Sequence, residues 1–175
     1  MDLSDEIRNS KKKPKELTEW LALKIERDRN TLDDIQQCLK TGSTAEKGIC
    51  MEAIEHVSKS RPRLVRNHIG MVIGHINSDA PKVKWESARV IGNLAFQFPE
   101  EVATVIPSLL ENTRDKGTVV RWSAAYALSE IAKSNPGIRN TLLPEIRRII
   151  KNEKNNGVKN VYLKALKAIE KQSSC

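Results

Sequence analysis

The chain has 175 residues, 39% of them hydrophobic and only 4% aromatic, with a formal net charge of +8. That length suffices for one compact domain or a short repeat array burying roughly 68–70% of its unfolded surface, so no disulfide or metal staple is required. Cys38, Cys50 and Cys175 have no paired spacing and read as reduced thiols; with no apolar run near membrane-span length and no apolar signal core at the N-terminus, the expected setting is cytoplasmic, with no membrane partner.

Taken in chain order, MDLSDEIRNSKKKPK is predicted to be a polar leader, and its run KKKPK at 11–15 a solvated basic stretch. KELTEWLALKIERDR and TLDDIQQCLK follow as a helix pair of poor register, so residues 1–42 are read as a leader plus an atypical N-terminal pair. From residue 43 onward the chain repeats itself. VKWESARVIGNLA (83–95) returns as VRWSAAYALSEIA (120–132), which places Trp85 and Trp122, Ala88 and Ala125, and Pro107 and Pro144 each 37 residues apart. The same shift backward puts Lys47 on Lys84 and Ile54 on Ile91. Forward, with one residue inserted in NEKNNG, Val158, Lys159, Ala165 and Ile169 continue the register.

Each unit reads as two helices. Val120, Ala124, Ala127, Leu128 and Ile131 lie on one helical face, as do Ile138, Leu142, Ile146, Ile149 and Ile150. Ser43 with Glu46 has the spacing of a capping box, Asn135 is placed to be an N-cap, and Pro62, Pro99 and Pro136 sit where first-turn prolines belong. Pro107 and Pro144 fall within the second helices, where kinks or late starts are expected. Residues 43–175 thus give three helix pairs and a C-terminal capping helix. The predicted fold is all-α, an α-solenoid of about nine antiparallel helices in one folding body, because no single unit can bury its own apolar stripe.

VRWSAAYALSEIA with LLPEIRRIIKN, and VKWESARVIGNLA with VIPSLLENTRD, resemble HEAT repeats, members of the armadillo-like α-solenoids. The shared pattern is a Val-Arg pair, Ala three and six residues after the Arg, then Leu, and Leu-Pro-x-Leu opening the second helix. Residues 117–152 match it closely; 79–114 carry Ser87 and Val90 at the two Ala positions, and 43–77 lack the Val and the Pro. The resemblance implies a scaffold or adaptor that binds a protein or a nucleic acid. It also implies a polar ladder at the repeated position Lys47, Lys84, Arg121 and Lys159, with Asp79 and Asp115 placed as partners. In such stacks the second helices usually line the concave side.

At about 100° per residue, Trp85 and Trp122 point away from the buried face of their helices, beside Ala88, Arg89 and Gly92 in one unit and Ala125, Tyr126 and Ser129 in the next. Two readings stand: a packing strap or homodimer contact, or a partner-binding strip made of Trp85, Arg89, Trp122 and Tyr126 with Lys84 and Arg121. A second candidate surface is basic, with Arg61, Arg63 and Arg66 in one unit and Arg147 and Arg148 in another. Glu100, Glu101 and Glu111 interrupt it in between, which favours a protein partner over a continuous nucleic-acid track. No catalytic motif, metal-ligand spacing or cofactor fingerprint is present in the sequence. The expected function is therefore a non-catalytic adaptor without cofactors, binding a protein, with nucleic-acid binding as the alternative. A third, remoter reading comes from resemblance alone, to HEAT-like DNA glycosylases that act on alkylated bases.

Overall fold

The computed structural model describes residues 2–174 of the chain. Among them the fold is all-helical: twelve α-helices and one 3-10 turn, and no strand. They resolve into nine rods and one short extra helix. The rods are α2 (Pro14–Arg27) with α3 (Thr31–Thr41), α4 (Thr44–Ser60) with α5 (Pro62–Val65) and α6 (Ile69–Ile73), α7 (Pro81–Leu94) with α8 (Pro99–Ala103) and α9 (Ile106–Asn112), α10 (Thr118–Ser134) with α11 (Pro136–Asn152), and α12 (Asn156–Ser173). The stack is therefore an α-solenoid, and the helix count exceeds nine because two second helices are delivered in pieces and a short α1 precedes the first rod.

The breaks have local causes. Pro107 occupies the first turn of α9, where its missing N–H costs nothing, so the helix restarts there after α8. In the preceding unit the 3-10 turn Arg66–His68 falls in the same register. Pro144 by contrast sits inside an unbroken α11; the carbonyl it leaves without a donor belongs to exposed Asn140, which faces solvent. The helix starts follow the sequence. Ser43 and Glu46 close a reciprocal capping box on α4, Asn135 caps α11 through Ile138 N, and Pro62, Pro99 and Pro136 all lie in first turns.

One buried apolar cluster runs from Leu3 to Ile169. Its continuity comes from the first helices: α2, α4, α7, α10 and α12 pack in that order, each against the next. The second helices lie further apart, and an open groove of about 640 Å3 separates α9 from α11, floored by Leu110 and Ile149.

The leader is not simply solvated. Residues Leu3–Arg8 form α1, capped by Asp2, with Leu3 and Ile7 buried. Two ion pairs hold it in place, Arg8 to Glu46 of α4 at 3.1 Å and Lys24 of α2 to Glu6 at 2.7 Å. Only Lys11, Lys12 and Lys13 remain as an exposed basic stretch before Pro14 opens α2. Cys38 and Cys50 are free and buried; Cys175 lies outside the described residues.

The seam between α7 and α10 is closely fitted. A methyl group at Gly92 would lie 2.5 Å from Cε1 of Tyr126, so the ring rests directly on the glycine. Gly70 in α6 has nothing within 4 Å of the same added atom. The two glycines should therefore respond with opposite sign. Gly92→Ala is expected to cost about 1–3 kcal/mol by overpacking, whereas Gly70→Ala gains about 0.5–1 kcal/mol of helix propensity. Urea unfolding followed by circular dichroism at pH 7 reads both shifts.

Candidate functional site

The side chains that sequence reasoning grouped on the outer strip of the first helices divide into two sets. The small ones, Ala88, Gly92, Ala125 and Ser129, are buried in the seams between stacked helices, so they do not form an open strip. This corrects the expectation that they lie beside the tryptophans on the surface. A surface drawn from one helix in isolation omits the next helix, which covers them. The large side chains line the edge of those seams.

Tyr126 is the centre of that edge. Its ring lies on Gly92, and its hydroxyl donates to Asn93 Oδ1 at 2.6 Å. Asn93 in turn donates to Glu55 O at 3.2 Å and to Ser58 Oγ at 2.9 Å, reaching across to α4. One chain of hydrogen bonds therefore ties three successive units. Burial raises the Tyr126 phenol to about 12, keeping it a neutral donor. Trp122, one turn earlier on α10, stacks on Tyr126 with ring centroids 5.9 Å apart and planes at 14°. It remains 37% exposed, and Val119, on the same face three residues before it, is exposed as well.

Trp85 behaves differently. It is half-buried, and its indole N–H donates to Glu86 Oε1 at 3.0 Å. The two tryptophans thus do not act as equivalent rings of one strip. Trp122 extends the Tyr126 platform, while Trp85 helps satisfy a carboxylate that is only 3% exposed. Arg89 spans two such carboxylates, Glu86 and Glu55, each at 3.4 Å. Burial pushes the Glu86 carboxyl up and Arg89 only partly offsets it; its charged form thus costs stability increasingly as pH rises above the ordinary value of 4.5. One seam further back, Glu52 accepts from Thr18 of α2 at 3.0 Å and from Lys82 of α7 at 2.6 Å.

The repeated cationic position forms rungs between adjacent units. Lys84 donates to Asp115 Oδ2 at 2.7 Å, so the acid comes from the following unit. Arg121 repeats this with Glu153 at 2.9 Å and also donates to Asp115 O at 3.0 Å. Glu153 was hidden by the one-residue insertion, which moves it to a spacing of 38 from Asp115. Lys47 instead turns back to Lys40 O at 3.3 Å, and Asp79 and Lys159 make no ion pair among the described residues. Lys84 and Arg121 are consequently committed to structure within the strip.

The basic clusters do not merge. Arg61 pairs with Glu26 at 3.8 Å, and Arg148 pairs with Glu145 on its own helix, beside the α9–α11 groove. Arg147 is exposed. Arg63 and Arg66 face a separate cleft together with Arg29, Phe96 and Phe98. Arg29 and the two phenylalanines come from turns outside the repeat signature, and only the connection lengths could have hinted at them. Among the described residues no group of three or more His, Cys, Asp or Glu could hold a metal ion, and no helix is long and apolar enough to cross a membrane.

The rungs imply a pH signature. The Lys84 hydrogen bond holds the Asp115 carboxyl below its ordinary value of 3.8, against the opposing effect of burial. Burial pushes Glu153 up, and Arg121 with the N–H groups of Asn155 and Lys154 more than compensates, leaving it below its ordinary range. A depressed folded value means the unfolded chain binds the proton first. The rungs' contribution is therefore complete only well above the ordinary values of 3.8 and 4.5, by about pH 6, and is lost as pH falls through the folded values. Asp115→Asn keeps the Oδ1 acceptor for Gly117 N–H (2.8 Å) but replaces Oδ2, which accepts from Lys84, with an NH2 donor, so it removes the charge and the rung's hydrogen bond together. It is expected to cost on the order of 1 kcal/mol at pH 7, with the gap to wild type narrowing in parallel urea titrations as pH falls through and below the ordinary carboxylate range.

Comparison with known proteins agrees with the helical-repeat fold. A HEAT-like repeat family profile matches residues 81–131. No curated protein matches the chain. Among solved structures, a designed armadillo repeat protein in complex with the peptide (KR)4 is similar at TM-score 0.69 and 17% identity, covering 79% of this chain and 64% of its own length. An engineered protein aligns at TM-score 0.73 and 17% identity over 97% of this chain and 81% of its own. A set of computationally designed armadillo proteins for modular peptide recognition aligns at TM-score 0.65 and 18% identity over 79% of this chain and 64% of its own. The chain thus spans just under two thirds of the armadillo proteins it resembles.

Proposed function

We propose that this chain, a HEAT/armadillo-like repeat protein, is a non-catalytic scaffold that binds an extended segment of a partner protein along the edge of its first helices. Repeat solenoids of this fold commonly mediate protein binding, and two of the similar designed proteins are described with a peptide or for peptide recognition. The observation that carries the reading is the Val119, Trp122 and Tyr126 stripe on α10. A large aromatic left 37% exposed and held flat by a second ring is a pre-ordered anchor, which reduces the entropy cost of binding. The Tyr126–Asn93–Glu55 chain below it fixes the platform to two neighbouring helices.

The first helices pack against one another without interruption from α2 to α12. An extended segment laid there would cross several units in register. Arg89 and Glu52 flank the platform on the α7 and α4 edges with their charges already matched, so the segment meets polar groups that are in place before it arrives. Trp85, Lys84 and Arg121 support the strip from within instead of touching the ligand.

Selection from a random-peptide display library on the immobilised wild-type chain tests this. The expected result is an enriched motif whose affinity falls at least tenfold on Trp122→Ala and on Val119→Asp, both of which retain wild-type melting curves, and is unchanged on Arg147→Ala. A failure to enrich any motif, or motifs that bind the Trp122 variant as well as wild type, rejects the proposal.

A further inference from the structure

A cleft of about 770 Å3 opens at the edge of the stack where first helices turn into second helices. Three arginines from two units line it: Arg29 from the α2–α3 turn, and Arg63 and Arg66 from the start of the next second helix. All three are exposed, and the side chains of Arg29 and Arg63 make no ion pair or hydrogen bond among the described residues. Glu101 is the one carboxylate in the lining. Three guanidiniums against one carboxylate leave the cleft at +2, a standing repulsion that a bound anion relieves.

The aromatic side of the cleft comes from the α7–α8 turn. Phe98 is buried, and the Arg66 guanidinium sits 5.7 Å from its ring centroid, which fixes one cation in position. Phe96, two residues away, is 83% exposed and is the most open large apolar side chain described. It contributes nothing to the core, so its ring is available beside the free arginines. Open aromatic faces next to guanidiniums accept bases by stacking and phosphates by charge. A single strand of nucleic acid delivers a base and a phosphate in every unit, whereas an acidic peptide covers Phe96 only where an apolar side chain falls beside its acids.

From this juxtaposition we infer that the cleft is a single-stranded nucleic-acid site, in which a base stacks on Phe96 and the adjoining phosphates lie among Arg29, Arg63 and Arg66. It is independent of the peptide platform, which is built from other residues on α10. The site differs from the basic surface first drawn on the sequence: Arg61, Arg147 and Arg148 take no part, and Arg29 with Phe96 replaces them. Its volume suits one or two nucleotides, so duplexes, whose bases are already stacked, are poor ligands.

The test is fluorescence anisotropy with 5′-labelled dT10, rU10 and a ten-base-pair duplex, at low and moderate salt, for four proteins of verified fold. Wild type is expected to bind the single strands, with a log–log salt slope of about −2 for three phosphate contacts. Arg29→Glu/Arg63→Glu should weaken binding tenfold or more, and Phe96→Ala about fivefold or more. Arg147→Glu/Lys151→Glu, which removes the same charge from α11, should change it by no more than about twofold. The inference is overturned if no single strand binds at low salt, if Phe96→Ala has no effect, if the two charge variants lose equally, or if the duplex binds as well as the single strands. None of these outcomes bears on peptide binding at Trp122.

Discussion

Tyr126 settling on Gly92 fixes how far α10 can approach α7, and the remaining geometry of the stack is built around that distance. A helix pair with one apolar stripe cannot bury it alone, so each unit must borrow the next unit's surface. Here the borrowing is done almost wholly by the first helices, which pack in sequence from α2 to α12. The glycine brings the two backbones close enough for the tyrosine hydroxyl to reach Asn93, and Asn93 to reach α4. Once the seam is set, the carboxylates of Glu55 and Glu86 are trapped beside it, and Arg89 must span them. Removing one partner from such a buried set costs more than the set contributes, which makes the register hard to slip.

The distribution of charge follows from the same packing. The chain carries +8 overall, yet Lys82, Lys84, Arg89 and Arg121 are consumed by carboxylates of neighbouring helices and turns. The first-helix edge is thereby left neutralised and aromatic around Trp122. Unpaired arginines collect instead at the turns, where Arg29 and Arg63 meet Phe96. Two surfaces of opposite character thus arise from one repeat, a matched polar-aromatic edge suited to a polypeptide and a cationic cleft suited to phosphates.

Most of the architecture was legible in the sequence because it is periodic. The 37-residue spacing, the apolar faces, the Ser43–Glu46 box and the first-turn prolines each carry local information that survives without neighbours. What escaped was contributed by neighbours. Ala88 and Gly92 point away from their own helix's core and are buried all the same, since α10 arrives on that side. Trp85 and Trp122 occupy the same repeat position but diverge, because Trp85 has Glu86 to satisfy and Trp122 has Tyr126 to cover. Glu153 was displaced by one inserted residue, and Arg29 and Phe96 lie in turns with no repeat counterpart to flag them. The folding of α1 depended on two distant acids and bases, Glu46 with Arg8 and Glu6 with Lys24.

On the proposed function, the first-helix edge around Trp122 is the face a partner protein meets. Site-specific photo-crosslinking in the native cell tests it most directly, with the reactive side chain placed at Val119, exposed beside Trp122, and in a separate protein at Arg147 on α11. A discrete protein adduct that resists nuclease treatment is expected from position 119, and none from position 147. An adduct from 147 with none from 119 would place the partner on the second-helix side and contradict it.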